Sequence, residues 1–443
     1  MKYINKIMVT LSAVASLFAV SCNEKPGEYN MTDGVPTIHY VRPVDVASAD
    51  SLLSGAYMDN MICVVGENLK SVYQLYFNDQ KAILNNSYIT DNTLLVTVPG
   101  TIPELVTDKM YFITAAQDTV KYDFSVIIPG PKVSSMSCEY VPVGEVATIY
   151  GDYFIDDPNV PFSITFPDDV PVTEIVSLTK NAVSFKVPEG AVEGKIDVKT
   201  IYGTVSSPFH YMDTRGMMFE FDGVTNLTNH GWHPRVIANE GGLTGNYVQF
   251  GDGSTALNDS SWGDGQFAFE YWCGDWNTPQ NITSGDGIAL YNLVDFTDFQ
   301  NMSLKFEMFI PSSNPWSATA MQICFEGVDK VTLSGNPIDG EAVVAGANAY
   351  AFNNEQNNLG TWGRAMYRPW ASTGSFHTDD QWITVTVPFS EFKYDKDGNP
   401  TDVVAQSAKD FASLTIFMLG GGVAGTECAP IVRIDNIRAV PNR

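Results

Sequence analysis

The chain has 443 residues, with 25 Lys or Arg against 51 Asp or Glu, so its formal net charge is -26 and its pI is about 4.4. Nucleic acids and anionic lipids bind clustered positive charge, so this composition argues against both as partners. Only 17% of the residues are charged and 44% are hydrophobic, which predicts a folded protein rather than an acidic disordered chain.

The N-terminus predicts export. Basic residues precede an apolar run from Ile7 to Val20, and Cys22 follows a stretch of small residues. This pattern is typical of a secretory signal peptide, which we assign to residues 1–21. The sequence before the cysteine resembles the lipobox of bacterial lipoproteins, which implies that Cys22 is lipidated and becomes the mature N-terminus. An ordinary signal peptide cleaved near Ser21 is the alternative.

Residues 22–34 form a polar segment without hydrophobic periodicity, which predicts a flexible tether. The five remaining cysteines are widely separated and contain no CxxC pair, so neither a disulfide framework nor a zinc site is indicated. Their strand-like, apolar surroundings predict buried thiols. These cysteines are Cys63, Cys138, Cys273, Cys324 and Cys428.

A unit of about 90 residues occurs twice, over 35–129 and 130–214. The segment MICVVGENL at 61–69 matches VATIYGDYF at 146–154, and a strand that ends in proline follows in both units. Alternation of apolar and polar residues predicts about seven short strands per unit, as in an immunoglobulin-like sandwich. The repeated motif resembles the TIG domain. Prolines at the junctions predict a semi-rigid spacer.

Residues 215–443 have a different sequence pattern, in which short segments of alternating apolar and polar residues are separated by long stretches rich in Gly, Asn and Asp. This pattern predicts one larger jelly-roll β-sandwich. All eight tryptophans of the chain lie between Trp232 and Trp382, within this region. The predicted fold class is therefore all-β, with two tandem immunoglobulin-like sandwiches followed by a jelly-roll sandwich.

A lipobox, TIG-like repeats and a Trp-rich C-terminal jelly roll together resemble the surface glycan-binding protein B family of Bacteroidetes polysaccharide-utilisation loci. The resemblance implies a non-catalytic lipoprotein at the outer-membrane surface that captures a polysaccharide such as xyloglucan or another hemicellulose. It also implies a transporter and a surface endo-hydrolase of the same locus as partners. Members with three immunoglobulin-like domains are known, whereas this chain has room for two.

Sugar rings present flat patches of C–H groups, so a glycan site needs exposed aromatic rings. We predict such rings in the loops of the C-terminal region, with Trp316 ranked first because it lies between two predicted strands. The predicted glycan-binding residues are Trp316, Tyr350, Trp362, Trp370 and Trp276. Trp382 alternates with apolar residues in a predicted strand and is expected in the core.

Two other functions stay open at the level of sequence. A glycoside hydrolase needs only two suitably spaced carboxylates, and we can single out no such pair. A protein-binding surface adhesin would also use immunoglobulin-like units. No cofactor is predicted. Residues 395–399 (DKDGN) are typical of a turn, and structural calcium is left as an alternative there.

Overall fold

The structure is a computed structural model that describes residues 30–228, 230, 237–261, 265–271, 273, 287–326, 363–402 and 404–442. The prediction of an all-β fold is confirmed, because the helices of these residues are all short 3-10 helices. No helix in these ranges is long and apolar enough to cross a membrane. The 3-10 helices are Val46–Ser48, Leu69–Ser71, Asn86–Tyr88, Pro167–Asp169, Gly265–Phe267, Leu290–Asn292, Phe299–Asn301, Pro369–Ser372, Phe389–Glu391 and Ala408–Asp410.

The chain divides into two compact units, Met1–Pro129 and Gly130–Arg443. The first unit contains a sandwich of a β1-β3-β6 sheet and a β5-β4-β7-β8 sheet, together with a parallel β2-β9 pair. Val64 and Leu94 from one sheet pack with Leu75 and Phe112 from the other. The strands are β1 (Thr37–Pro43), β2 (Gly55–Tyr57), β3 (Met61–Glu67), β4 (Val72–Phe77), β5 (Gln80–Lys81), β6 (Thr93–Thr97), β7 (Lys109–Thr114), β8 (Thr119–Asp123) and β9 (Ser125–Ile127).

The second unit begins with another immunoglobulin-like sandwich, in which sheet β10-β11-β15-β14 packs on sheet β13-β12-β16-β17. Ile149 and Phe185 from one sheet meet Ile164 and Val198 from the other in its core. The strands are β10 (Lys132–Met136), β11 (Val146–Asp152), β12 (Ser163–Phe166), β13 (Val170–Pro171), β14 (Ile175–Leu178), β15 (Ala182–Lys186), β16 (Asp197–Thr200) and β17 (Gly203–Ser206).

Gly66 and Gly151 occupy equivalent places in the two sandwiches and explain the repeated motif. Each faces a bulge in the neighbouring first strand, where a Cβ atom would lie 2.1 Å from the Thr37 carbonyl oxygen and 1.9 Å from that of Lys132, respectively. Only glycine lets the two backbones approach so closely. Backbone contact rather than side-chain packing therefore requires glycine at both positions.

The C-terminal domain is a larger sandwich whose layers are β19-β20-β27-β22-β25, with β18 also paired to β27, and β21-β26-β23-β24. Phe306 and Ile434 from the first layer pack with Ile323 and Ile416 from the second in one continuous core. The strands are β18 (Met217–Phe219), β19 (Ile237–Ala238), β20 (Tyr247–Phe250), β21 (Ala268–Tyr271), β22 (Met302–Phe309), β23 (Ala320–Glu326), β24 (Ala365–Tyr367), β25 (Ile383–Pro388), β26 (Ser413–Leu419) and β27 (Val432–Pro441).

Alternation along β22 sends Leu304 and Phe306 into this core and turns Lys305 and Glu307 toward the second immunoglobulin-like domain. The backbone N–H of Thr384 donates to the carbonyl of Ser137 at 2.9 Å across the junction. The two domains of the second unit are therefore joined through backbone as well as side chains.

A buried ionic cluster lies at the same junction. Arg438 donates to Glu139 at 2.8 Å and to both carboxylate oxygens of Glu307 at 2.8 and 3.0 Å, while Lys305 Nζ lies 2.5 Å from Glu139. Burial opposes the positive charge of Arg438, but Glu307 and Glu139 raise the pKa of its guanidinium. These hydrogen bonds compensate for taking four charges largely out of water, so the loss of one partner would leave an unpaired charge buried in the protein.

Four of the five cysteines in the described ranges are buried, as the sequence predicts. Cys63, Cys138, Cys273 and Cys324 are buried free thiols, and Cys428 is half-buried. Burial raises the pKa of the Cys324 thiol to about 12. Burial also raises the pKa of the other three buried thiols, so these four stay protonated at neutral pH and act as small core residues.

Candidate functional site

The outer face of the four-stranded sheet β21-β26-β23-β24 carries polar side chains that the hydrophobic core of the C-terminal sandwich does not account for. Along β23, Ile323 and Phe325 enter the core, whereas Gln322, Cys324 and Glu326 alternate to the opposite face. All seven residues of this strand are buried. The opposite face is thus buried and carries Gln322 and Glu326 beside a small apolar cluster of Ala268, Cys324 and Phe417. We call its polar part the polar layer.

Arg364 and Gln322 anchor this polar layer. The Arg364 guanidinium donates to Gln322 Oε1 at 2.6 Å and lies 5.6 Å above the ring of Phe417. Gln322 Nε2 in turn donates to the carbonyl oxygens of Lys396 at 3.0 Å and Leu419 at 2.7 Å. These contacts fix the start of β24 and the 395–399 turn against the sheet.

Glu326, at the end of β23, is only 2% exposed. Burial raises the pKa of its carboxyl group to about 8, although the positive charge of Arg364 offsets part of this effect. The Thr415 hydroxyl lies close enough to lower that pKa, but among the described residues neither carboxyl oxygen of Glu326 has a partner in normal hydrogen-bond geometry. A carboxyl group in this state is mostly protonated at neutral pH and can both donate and accept a hydrogen bond.

The polar layer forms a floor rather than an open platform, because its side chains are almost fully buried. Glu270 on β21 is 1% exposed and Thr415 on β26 is 0% exposed. Two chain segments attach to the strands of this floor: 272–286 follows β21, and 327–362 connects β23 to β24. The floor therefore sets the position where 272–286 starts and the positions where 327–362 starts and ends.

The prediction that Trp316 lies at an exposed loop tip is wrong. Its side chain is 0% exposed, and its indole N–H donates to the carbonyl of Ala318 at 2.6 Å. The backbone of Trp316 pairs with that of Phe376 in both directions, at 2.9 and 2.8 Å. The prolines and serines around it suggested a surface loop, but the loop folds back and the ring fills the core.

Trp370 is likewise a core residue and not an exposed ring. It lies in the 3-10 helix Pro369–Ser372, is 3% exposed, and donates its indole N–H to the Thr319 carbonyl at 2.8 Å. Both corrected tryptophans satisfy their only polar group inside the protein, so burial leaves no unpaired donor. Neither ring has a face available for a ligand.

Three other predicted residues, Trp276, Tyr350 and Trp362, lie outside the described residues, as does the predicted lipid anchor Cys22. Trp382 is half-buried, with its ring 5.9 Å from Tyr247 and 5.6 Å from Phe309. It also packs on the core of the second immunoglobulin-like domain. The expected core position of Trp382 is therefore a position at the domain junction.

Sequence reasoning missed Gln322, Glu326 and Arg364. A signal was present in the segment AMQICFE of β23, where polar residues occupy alternate positions of an otherwise apolar strand. Such alternation marks one face of the strand as polar. It gave no hint that this polar face is buried.

Among the described residues, we considered two groups of side chains as potential metal ligands. The Asp395 carboxylate accepts the backbone N–H groups of Asp397 and Asn399, both at 2.9 Å, which is the arrangement of a turn. Ligand atoms of Glu193, His210 and Asp213 lie within 4.8 Å of one another. Both oxygens of Asp213 already accept hydrogen bonds from the Arg215 guanidinium at 2.8 and 2.7 Å, so this group suits an ion pair better than a metal.

Comparison with known proteins assigns the C-terminal sandwich to a family. The model of the surface glycan-binding protein B xyloglucan-binding domain matches residues 211–441, slightly more than half of the chain. The chain belongs to the surface glycan-binding protein B family. This membership confirms the prediction of a non-catalytic glycan-binding protein, and it does not support the glycoside hydrolase alternative.

Two relatives extend this result to the rest of the chain. The crystal structure of the surface glycan-binding protein PbSGBP-B from Prevotella bryantii is 44% identical, with a TM-score of 0.75 over 93% of this chain and 99% of that one. An IPT/TIG domain-containing protein from Bacteroides ovatus is 29% identical over 188 residues. That match covers 40% of this chain and 37% of the relative's length, and it supports the TIG resemblance.

Proposed function

We propose that the C-terminal sandwich of this surface glycan-binding protein captures a β-linked hemicellulose, with xyloglucan as the first candidate. The observation that carries the proposal is the match of residues 211–441 to a family domain described as xyloglucan-binding. The buried polar floor of β21-β26-β23-β24 adds a physical reason, because it fixes both ends of 327–362 and the start of 272–286. Fixed ends reduce the entropy that a binding loop loses when it closes on a polymer.

We further propose that aromatic stacking supplies most of the affinity, through Trp276, Tyr350 and Trp362. Trp276 belongs to the segment that follows β21, and the other two belong to the segment that connects β23 to β24. Trp362 precedes the buried Arg364 by two residues in the sequence. By analogy with stacking on nucleobases, each ring contributes about 1 to 3 kcal/mol.

The N-terminal features support a proposal on location. Signal cleavage and lipidation at Cys22 would anchor the protein in the outer membrane, with the immunoglobulin-like domains as spacer, beside a transporter and an endo-hydrolase of the same locus. Weak binding by many anchored copies suits capture of a polymer. Replacement of Cys22 by Ala should release the protein from the membrane fraction; retention there would contradict lipid anchoring.

Affinity electrophoresis tests the glycan proposal. The soluble chain that begins at Asn23 is run through gels with xyloglucan, mixed-linkage glucan, mannan or arabinan. We expect xyloglucan to retard it most, and no retardation by any of the four would refute the proposal. Shortening of the glycan would instead indicate hydrolysis.

Single alanine variants of Trp276, Tyr350 and Trp362 test the stacking. Each should weaken retardation at least about fivefold, the effect of 1 kcal/mol. Tyr73→Ala is the matched control, because Tyr73 is 55% exposed on the first immunoglobulin-like domain. Equal mobility of all four variants and the parent chain would exclude stacking by these three rings.

A further inference from the structure

The C-terminal sandwich contains a cavity of about 380 Å³ that the glycan proposal does not use. The cavity lies on the core side of β23, where Phe325 contributes to its wall, whereas Glu326 points to the polar floor on the opposite face. The volume falls at the lower end of the range of small-molecule sites. The cavity is therefore distinct from the polar floor, and Gly363 in its lining directly follows Trp362 in the sequence.

Five of the eleven residues in the described lining are phenylalanines: Phe299, Phe325, Phe389, Phe392 and Phe411. Ring centroids are 5.0 Å apart for Phe299 and Phe411, 5.1 Å for Phe325 and Phe411, and 5.2 Å for Phe389 and Phe392. The first and third of these pairs are tilted, and the second is edge-to-face. Such a wall presents both faces and edges of rings, which is the environment that favours an aromatic guest.

Polar side chains occur only at the exposed side of the described lining, as Gln300, Ser390 and Lys393. Lys393 is 43% exposed and its Nζ lies 3.1 Å from Glu391 Oε1. That ion pair is accessible to solvent and is therefore weak enough to be exchanged for another anion. The lining thus combines an aromatic interior with one cation and two hydrogen-bonding groups near solvent.

We propose that this cavity binds a small aromatic acid of phenylpropanoate size, free or as an ester, with its ring among the phenylalanines and its carboxyl end toward Lys393. An unsubstituted sugar does not suit the interior, because its hydroxyl groups would lose their hydrogen bonds to water. A carboxylate cannot enter the interior for the same reason. The ligand must therefore be apolar at one end and polar at the other.

Calorimetric titration of the chain that begins at Asn23 tests the proposal with three probes: 3-phenylpropanoate, its methyl ester and 3-cyclohexylpropanoate. We expect the aromatic acid to bind about two- to tenfold more tightly than the cyclohexyl acid, the usual effect of ring–ring contacts. The acid and ester together show whether free or esterified acids are preferred. Absence of heat from both aromatic probes at millimolar concentration would overturn the proposal.

Three variants locate the binding. Ala405, which lines the cavity, is replaced by Phe to fill it, and affinity for both aromatic probes should fall at least about tenfold. Lys393→Met should weaken only the free acid, by about two- to fivefold. Lys396→Met is the matched control, because Lys396 pairs with Asp397 and is not part of the described lining.

Each outcome has a definite meaning. Unchanged affinity in folded Ala405→Phe would place the ligand elsewhere and refute the cavity, and Lys393→Met tests the same site without changing the core. An equal loss in both lysine variants would refute the role of Lys393. Retardation by xyloglucan should be the same in Ala405→Phe as in the parent chain, so failure of this proposal and failure of the glycan proposal are distinguishable.

Discussion

Replacement of Glu326 by Gln should make the C-terminal domain more stable at alkaline pH. The carboxyl group has a pKa of about 8 in the folded protein, against 4.5 as its ordinary value, because burial disfavours the carboxylate. The folded state therefore holds its proton longer than the unfolded state. The stability that this group contributes is complete below pH 4.5 and is lost as the pH rises through 8.

The size of the effect follows from the two pKa values. A difference of about 3.5 pH units corresponds to about 5 kcal/mol in total, of which about 4 kcal/mol falls between pH 5 and pH 9. Gln has the shape of the protonated acid and cannot ionise. We expect the variant to resemble the parent protein at pH 5 and to exceed its unfolding free energy by about 4 kcal/mol at pH 9.

Denaturant titration followed by tryptophan fluorescence is a selective assay, because all eight tryptophans lie between residues 232 and 382. The signal reports the C-terminal domain, including the junction where Trp382 packs on the second sandwich. Comparing variant and parent at each pH cancels the titration of other buried acids, such as Asp435 with its pKa raised to about 8. Glu240→Gln, an exposed substitution in the same domain, is the control.

A stability difference that stays constant from pH 5 to pH 9 would refute the reasoning. It would mean that Glu326 is ionised in the folded state at little cost, and hence that the polar floor is hydrated. A difference of the opposite sign would mean that the Arg364 charge outweighs burial.

Two further substitutions test the backbone and the junction. Glu139→Gln, in the second immunoglobulin-like domain, should lower the unfolding free energy of the tryptophan-reported transition by about 3 to 5 kcal/mol, because Arg438 and Lys305 lose a buried partner. The control Glu174→Gln breaks only an exposed pair with Lys186 and should change that free energy by less than about 1 kcal/mol. Equal effects would show that the junction cluster is not coupled to the C-terminal domain. Gly151→Ala should lower the thermal midpoint of the second immunoglobulin-like domain, measured by circular dichroism, because its Cβ would clash with the Lys132 carbonyl at 1.9 Å; an unchanged midpoint would mean that the bulge relaxes freely.

The repeated sandwiches show how far sequence reasoning reaches. Apolar alternation and the matching glycines were enough to predict the repeat, because strand periodicity and close backbone approach are local properties of the chain. The structure adds the reason for the glycines, since each faces a bulge in the first strand of its own sandwich. The cysteines were also predictable, because apolar flanks on a strand usually mean burial.

The predicted binding residues show where such reasoning fails. Trp316 and Trp370 have polar or proline-rich neighbours, like exposed loop residues, yet both lie in the core with their N–H groups bonded to backbone carbonyls. Whether a loop folds inward depends on the space left between strands that are distant in the sequence. No local sequence pattern predicts the shape of that space.

The sequence by itself determined the all-β class, the duplicated sandwich and the concentration of tryptophan in one region, because these depend on composition and on a period of two residues. Only the tertiary structure decided which side chains meet. Glu139 and Arg438 are 299 residues apart and share a buried ion pair, and the polar residues of β23 acquire their character from burial by other elements. Burial and pairing between distant segments set the energies of charges, so the chemistry of this protein belongs to its fold.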